Sequence, residues 1–371
     1  MRSPSTGTVE DSSSALFPAG RLGTSPENAS PVGGLRMARD AHHEPVLADE
    51  VAALFDPVPP GLVLDATVGL GGHAATLLTA NPRVAVLGVD RDRDALEIAA
   101  ARLGPFGARA TVTYARFADL RQVVDEARAA GGGPVPSAGE AASSPPSGGG
   151  LSGVLFDLGV SSLQLDRAER GFSYRTDAAL DMRMDPSGGQ SAADVVNQAS
   201  EADLARWFAS NGEGRLARRL ARAVVAARPL ATTGELAAVV SAAVPAAVRR
   251  RGHPASRVFQ AIRIAVNDEL AELAAALPAA LDLLAEGGRC VVISYHSGED
   301  RLVKDTFAAA VSGGCTCPPD LPCRCGATVE FRLVFRGATK ASTEETARNP
   351  RASSARLRAI ERIAPRLLGG F

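Results

Sequence analysis

The chain has 371 residues, 46% of them hydrophobic, and a formal net charge of −1. That length accommodates two domains, or one domain carrying a large insertion. No apolar run approaches the ~20 residues of a membrane span, and residues 1–40 hold no hydrophobic segment of the kind a secretion signal needs; a soluble cytoplasmic protein without an obligate protein partner is therefore expected.

Residues 1–40 are rich in Ser, Pro and Gly, show no periodicity and are expected to be disordered. Order begins with Gly61-Leu-Val-Leu64, a short apolar strand, followed by Asp65-Ala-Thr-Val-Gly-Leu-Gly-Gly-His73 and a helix-like run. A strand, a glycine-dense turn and a helix start describe a nucleotide-binding βα unit. The next apolar run, Val84-Ala-Val-Leu-Gly-Val89, closes on Asp90, where a carboxylate can accept bonds from ribose hydroxyls.

Two cofactors compete for this loop. Gly69-x-Gly71-x-x-Ala74 fits the dinucleotide fingerprint, with a pyrophosphate of NAD or FAD on the helix N-terminus. Asp65, immediately before the glycines, would repel such a pyrophosphate. S-adenosylmethionine carries a sulfonium and an ammonium instead, both of which favour a nearby acid, and the glycines allow close backbone approach. The loop alone leaves both readings open, together with an ordinary tight turn.

Strands are expected at Leu62–Asp65, Val84–Asp90, Thr111–Tyr114, Val154–Leu158 and Arg289–Ser294, with a late strand at Thr328–Phe335. Helices follow Gly72, Asp92 and Phe117. This alternation predicts an α/β fold with a parallel, doubly covered sheet. The Gly/Pro/Ser-rich stretch 131–150 reads as a surface insertion. After Leu158 the pattern becomes helix only. Ser200-x-x-Asp203 forms a capping box before the stripe Leu204, Trp207 and Phe208, and further helices are expected near Leu216–Ala227, Thr233–Val244 and Ser256–Ala276. The sheet domain thus spans 41–165 and 258–371, ending in a basic tail, with a helical domain inserted over 166–257.

In an open α/β sheet, ligands lie beyond the carboxyl ends of the strands, so Asp65, Asp90 and Asp157 are expected to converge on one crevice. Asp157 stands where an acceptor would face donor and target; the plainer alternative is that it caps a turn. The polar and aromatic segments Asp166–Tyr174 and Leu180–Asp185 follow at once, as substrate loops or as an ordinary crossover. His296 could contact substrate, or simply bond Glu299 or Asp300.

Charge is uneven along the chain. Residues 201–263 hold eleven arginines against four acids, including Arg215, Arg218, Arg219 and Arg222 on one helix flank and Arg249-Arg-Arg251. Near the C-terminus stand Arg348, Arg351, Arg356, Arg358, Arg362 and Arg366. Basic faces of this kind suit a phosphate backbone. Of the five cysteines, Cys290 falls inside an expected strand and the others form Cys315-x-Cys317-x5-Cys323-x-Cys325. None stands near the fourth strand, where carbon-5 methylation of a pyrimidine would need a thiolate. The four clustered cysteines can hold a tetrahedral zinc ion, but the short spacing and the prolines favour reduced loop thiols, and no metal is assigned.

Together these stretches resemble one family, the bacterial ribosomal RNA small subunit methyltransferase H family of cytosine-N4 methyltransferases. The resemblance rests on His43-Glu-Pro-Val-Leu47, Asp65 to His73, Gly88-Val-Asp-Arg-Asp92, Phe156-Asp-Leu-Gly-Val-Ser-Ser-Leu-Gln164, Glu169-Arg-Gly-Phe-Ser173 and Leu180-Asp-Met-Arg-Met-Asp185. It continues through His253-Pro-Ala-Ser-Arg257, Phe259-Gln-Ala-Ile-Arg263, Ile293-Ser-Tyr-His-Ser297 and Asn349-Pro-Arg351, covering about 42–363 outside the insertion. Gly214 and Gly298 depart from the family pattern. The resemblance implies a class I, Rossmann-like methyltransferase sheet with an inserted helical domain. It implies S-adenosylmethionine held by Gly71, Gly72, His73, Asp90, Phe117, Asp157 and Gln164. The implied substrate is the N4 amine of a P-site cytidine in 16S ribosomal RNA of the small subunit. Asp157 is the expected catalytic acceptor, and Arg215, Arg218, Arg219 and Arg222 the expected grip on RNA. An NAD(P)-dependent oxidoreductase and a non-catalytic RNA-binding assembly factor are the alternatives.

Overall fold

A computed structural model describes residues 17–18, 44–129, 150–246, 255–318 and 323–368. Apart from Phe17–Pro18 and Gly150, the expected disordered tail 1–40 and insertion 131–150 lie outside the described residues, as do Arg249-Arg-Arg251 and His253-Pro254.

The strands, in chain order, are β1 (Phe17–Pro18), β2 (Gly61–Asp65), β3 (Val84–Asp90), β4 (Ala110–Tyr114), β5 (Leu151–Asp157), β6 (Leu284–Ser294), β7 (Thr328–Leu333) and β8 (Arg356–Leu367). They form one sheet in the order β1-β4-β3-β2-β5-β6-β8-β7. Strands β4, β3, β2, β5 and β6 run parallel, whereas β8 is antiparallel to both β6 and β7, and β1 adds antiparallel to β4. The chain winds outward from β2 through β3 to β4, then restarts on the other side of β2 with β5. That reversal opens a crevice at the carboxyl ends of β2 and β5.

Helices α1 (Ala48–Phe55), α2 (Gly72–Ala80) and α3 (Arg93–Leu103) cover one face; α4 (Leu120–Ala129) is on the other. Side chains alternate between the two cores with the period of 2 that a pleated strand imposes. Leu64, Leu87, Val154, Phe156 and Val292 enter the core beneath α4, while Val63, Val86, Leu155, Val291 and Ile293 enter the core beneath α1 and α2. Burying each such side chain stabilises the fold by about 1.5–3 kcal/mol.

A third core is helical. After the short α5 (Ser162–Asp166) come α6 (Ala192–Gln198), α7 (Glu201–Phe208), α8 (Ala217–Ala226), α9 (Thr233–Ala243) and α10 (Ala255–Asn267). Leu204, Phe208, Leu220, Val224, Leu236 and Val240 meet Val258, Phe259 and Ile262 there. The expected division at residue 257 therefore falls inside α10, whose apolar face belongs to the helical core. The single helix expected over 256–276 is two, because Asp268 takes a left-handed conformation (φ 51°) that ends α10 and starts α11 (Glu269–Leu283). Helix α11 turns back onto the sheet face under α4, joined by α12 (Ser297–Ser312). The short α13 (Thr343–Arg348) precedes β8.

Candidate active site

The β2–α2 loop is shaped by two glycines with positive φ, Gly69 (49°) and Gly71 (77°), a region costly for residues with a Cβ. The Gly69 N–H donates to Asp90 Oδ2 at 2.9 Å, and Val68 N–H donates to the Val89 carbonyl at 2.9 Å, so the loop is tied to the end of β3. Beside it lies a cavity of about 350 Å³, lined by the loop, the ends of β3 and β5, the Gly159–Gln164 turn and Tyr295 after β6. That volume is in the range of small-molecule sites.

Six of the seven residues expected around the donor line this cavity: Gly72, His73, Asp90, Phe117, Asp157 and Gln164. Gly71 does not. A Cβ there would press on the Ala99 Cα and Leu103 Cγ at 3.3 Å, so Gly71 serves the turn and the packing of α2 on α3. Gly72 is confined differently: a Cβ would come 2.8 Å from the Pro45 Cγ. The expected convergence of three acids is also modified. Asp90 and Asp157 line the cavity, whereas Asp65 is 1% exposed and lies outside the lining.

The carboxylates differ in environment. Asp65 Oδ1 accepts from the Thr67 N–H at 3.2 Å, but its buried Oδ2 has no hydrogen-bond partner, and burial pushes its pKa up to about 7. Asp90 accepts from the Asp92 and Gly69 N–H groups, yet burial still raises it to about 6. Asp157 is more open, its side chain 25% exposed. Its Oδ1 accepts from the Tyr295 hydroxyl at 2.7 Å, and its backbone N–H donates to Thr67 Oγ1 at 2.6 Å. His73 Nε2 lies 3.4 Å from Asp157 Oδ2, an ion-pair contact rather than a formed hydrogen bond. Burial lowers the His73 pKa, but Asp157 and Asp65 outweigh it and hold the imidazole above the ordinary histidine value.

Gln164 is placed by its own turn. Ser161 and Gln164 form a reciprocal capping box on α5, and Gln164 Nε2 donates to Asp92 Oδ2 at 2.9 Å. Arg170, 8% exposed, donates to the same oxygen at 2.9 Å and to the Arg183 and Met184 carbonyls. Asn267 completes the frame, donating to the Met182 carbonyl and accepting from the Met184 N–H and from Arg91. The segment 180–185, a candidate substrate loop by sequence, is thus largely a brace that holds the helical core against the crevice.

His296 does not line the cavity; it caps α12, accepting from the Gly298 and Glu299 N–H groups and lying 3.1 Å from Glu299 Oε1. Tyr295, Arg263 and Glu269 were not singled out from sequence, yet all line the cavity, with Arg263 and Glu269 paired twice at 2.8 Å. Arg263 and Tyr295 do stand in the motifs Phe259-Gln-Ala-Ile-Arg263 and Ile293-Ser-Tyr-His-Ser297, whereas Glu269 stands in none.

Arg215, Arg218, Arg219 and Arg222 are all exposed and lie outside the cavity, on and just before α8. Arg222 approaches Glu201 at 3.8 Å; the other three have no acidic partner among the described residues. The C-terminal arginines are less available than their number implies. Arg351 pairs with Asp166, Arg358 with Asp300 and Arg362 with Glu330, each within 2.9 Å. Cys290 is buried in β6, and no thiol is among the residues lining the cavity.

Residues 40–363 match the family model described as the MraW methylase family. Among similar proteins, the "Ribosomal RNA small subunit methyltransferase H" of Nocardia farcinica is 47% identical over 336 residues, covering 88% of this chain and 98% of the relative. The protein of the same name from Heliobacterium modesticaldum is 46% identical, covering 87% of this chain and 99% of its own length. That of Mycobacterium sp. (strain KMS) is 45% identical over 362 residues, covering 95% of this chain and 92% of the relative.

Proposed function

The chain belongs to the MraW methylase family and uses S-adenosylmethionine, and from that premise we propose that it methylates the N4 amine of a P-site cytidine in 16S ribosomal RNA of the small subunit. The observation that carries this reading is Asp157, a partly exposed carboxylate in a cavity with no thiol in its lining. Carbon-5 chemistry needs a cysteine nucleophile, whereas transfer to an exocyclic amine needs an acceptor and good alignment.

The residues of the crevice fit the donor. Asp90 has lone pairs left to accept ribose hydroxyls, Phe117 offers an apolar surface, and Asp157 with the nearby Asp65 favours a cation. The bound donor supplies an electrophilic methyl group. Asp157 would accept a hydrogen bond from the target amine, which favours a pyramidal nitrogen and stabilises the positive charge that develops as the N–C bond forms and the S–C bond of the donor breaks. The carboxylate would then take the proton that the methylated amine gives up. Tyr295 holds the carboxylate in orientation through Oδ1, and His73 leaves Oδ2 near a compensating charge.

The target base must leave its stack to reach this depth, unless the RNA presents it unpaired. Arg215, Arg218, Arg219 and Arg222 grip the flanking backbone, so affinity is expected to fall steeply with salt, and reversing all four charges is expected to flatten that slope.

The direct test incubates the protein with methyl-labelled S-adenosylmethionine and small subunits lacking the modification, then digests the RNA to nucleosides. Label in N4-methylcytidine is the expected result. Label in another nucleoside, or none while the donor still binds, overturns the reading.

A further inference from the structure

We propose that Cys315, Cys317, Cys323 and Cys325 form a structural zinc site in the connection between α12 and β7. The four Sγ atoms all lie within 4.8 Å of one another, with separations of 3.4 Å (Cys315–Cys323), 4.0 Å (Cys317–Cys323), 3.2 Å (Cys323–Cys325) and 3.6 Å (Cys325–Cys315). A disulfide requires about 2.05 Å, so these thiols are not paired. A tetrahedral zinc ion with Zn–S bonds of about 2.3 Å has S···S edges of about 3.8 Å. The observed separations bracket that value, and four sulfurs facing one point have no other obvious reason to gather in a polar loop.

The backbone prepares the arrangement. Gly313 and Gly314 have positive φ at the end of α12, and Gly326 turns the chain into β7. A Cβ on Gly313 would strike the Thr328 carbonyl oxygen at 2.2 Å, so helix end and strand start touch directly. The ion ties this junction, at the sheet edge where β7 has one neighbour. Four sulfur ligands leave no open position, which marks a structural and not a catalytic site. The 16 residues of α12 also place it roughly 24 Å along the helix from Tyr295.

The test measures metal content of the full-length protein purified without chelator and without added metal. The expected result is one zinc per chain, lost in Cys323→Ser and Cys325→Ser, with a lowered Tm and unchanged S-adenosylmethionine affinity. Cobalt substitution is expected to give thiolate-to-metal charge-transfer absorption in the unaltered chain only. Zinc far below one per chain, stoichiometric iron, or disulfides among these residues by mass spectrometry would each overturn the assignment.

A second, independent observation concerns the chain's only two lysines. Lys304 and Lys340 both line a cleft of about 430 Å³ that also includes Arg301, Arg356, Ser353 and Ser354 and shares Tyr295 with the donor cavity. Arg301, Lys304 and Lys340 have no acidic partner among the described residues, and the one acid in the cleft, Asp300, is held by Arg358 at 2.8 Å and approached by Arg356 at 3.7 Å. We infer that this cleft seats a backbone phosphate of the RNA next to the target nucleotide; the inference rests on the function proposed above. Compact ammonium groups and hydroxyls are suited to such a group.

Lys304→Glu/Lys340→Glu is expected to raise KM for small subunits at least several-fold and to lower the salt slope of RNA binding, leaving donor affinity unchanged; the double Lys→Arg variant is expected to restore both. Unaltered KM and slope in the Glu variant would remove the cleft from the interface. If the unaltered enzyme binds donor but does not methylate subunits, the proposed function fails instead, and the cleft inference with it.

Discussion

The Tyr295 hydroxyl donates to Asp157 Oδ1 at 2.7 Å, joining the ends of two neighbouring parallel strands through residues 138 apart in sequence. That bond fixes one carboxylate oxygen and leaves the other to face His73 and the cavity. Asp157→Asn is expected to keep its fold and its RNA binding but to lose about 10²–10⁴ in turnover, the usual scale for a positioned proton acceptor. Tyr295→Phe, which frees the carboxylate without neutralising it, is expected to lower kcat by about tenfold with KM little changed. Steady-state kinetics on small subunits check both, and unchanged turnover in Asp157→Asn removes it from the mechanism.

Asp90 gives donor binding a pH dependence. Burial raises its pKa to about 6, and ribose hydroxyls bond best to the ionised form. Affinity for S-adenosylmethionine is therefore expected to be flat above pH 7 and to weaken below pH 6, approaching tenfold per pH unit. Calorimetry from pH 5 to 8 measures it, and Asp90→Asn is expected to bind weakly with no such dependence.

Asp65 is shifted in the same direction but acts on stability, with the opposite pH dependence. Its pKa is raised to about 7 in the fold, against 3.8 for the free side chain. A raised carboxyl pKa means the unfolded chain releases its proton first, so this contribution is full below about pH 4 and lost as pH rises toward 7. Asp65→Asn is expected to raise stability at pH 8 by on the order of 4 kcal/mol and to flatten the pH profile between 4 and 7. Denaturant unfolding across that range tests it; an unchanged profile would place the ionised form in the native state.

Gly88 couples the core to the donor loop. A Cβ there would lie 2.6 Å from the Val68 Cγ2 and 2.9 Å from its Cβ. Gly88→Ala is expected to displace the Val68–Gly69 turn, to destabilise the fold by about 1–3 kcal/mol and to weaken donor binding. Tm and donor titration measured together separate this from a purely local change.

Much of the sheet was legible in advance because strand period and glycine-rich turns are local signals. Leu62–Asp65 and Val84–Asp90 appear within one residue of their expected bounds. The break at Asp268 was not legible, since an apolar helical pattern runs through it and only the left-handed backbone of one residue interrupts it. Tyr295 was missed for a similar reason: its value lies in reaching Asp157, and no local pattern announces a contact over that separation. The arginine-rich C-terminus was overread, because a sequence shows the charges but not the acids that neutralise Arg351, Arg358 and Arg362.

The amino-acid order alone determined the alternation of strands and helices, the glycine turn before α2 and the acids at the strand ends, because each follows from neighbours a few residues apart. Only the tertiary structure decided that Asp65 sinks out of the cavity while Asp157 stays accessible, that 180–185 braces the helical core, and that four cysteines face a common point. Those outcomes depend on desolvation and on contacts between distant segments, and both exist only once the chain has folded.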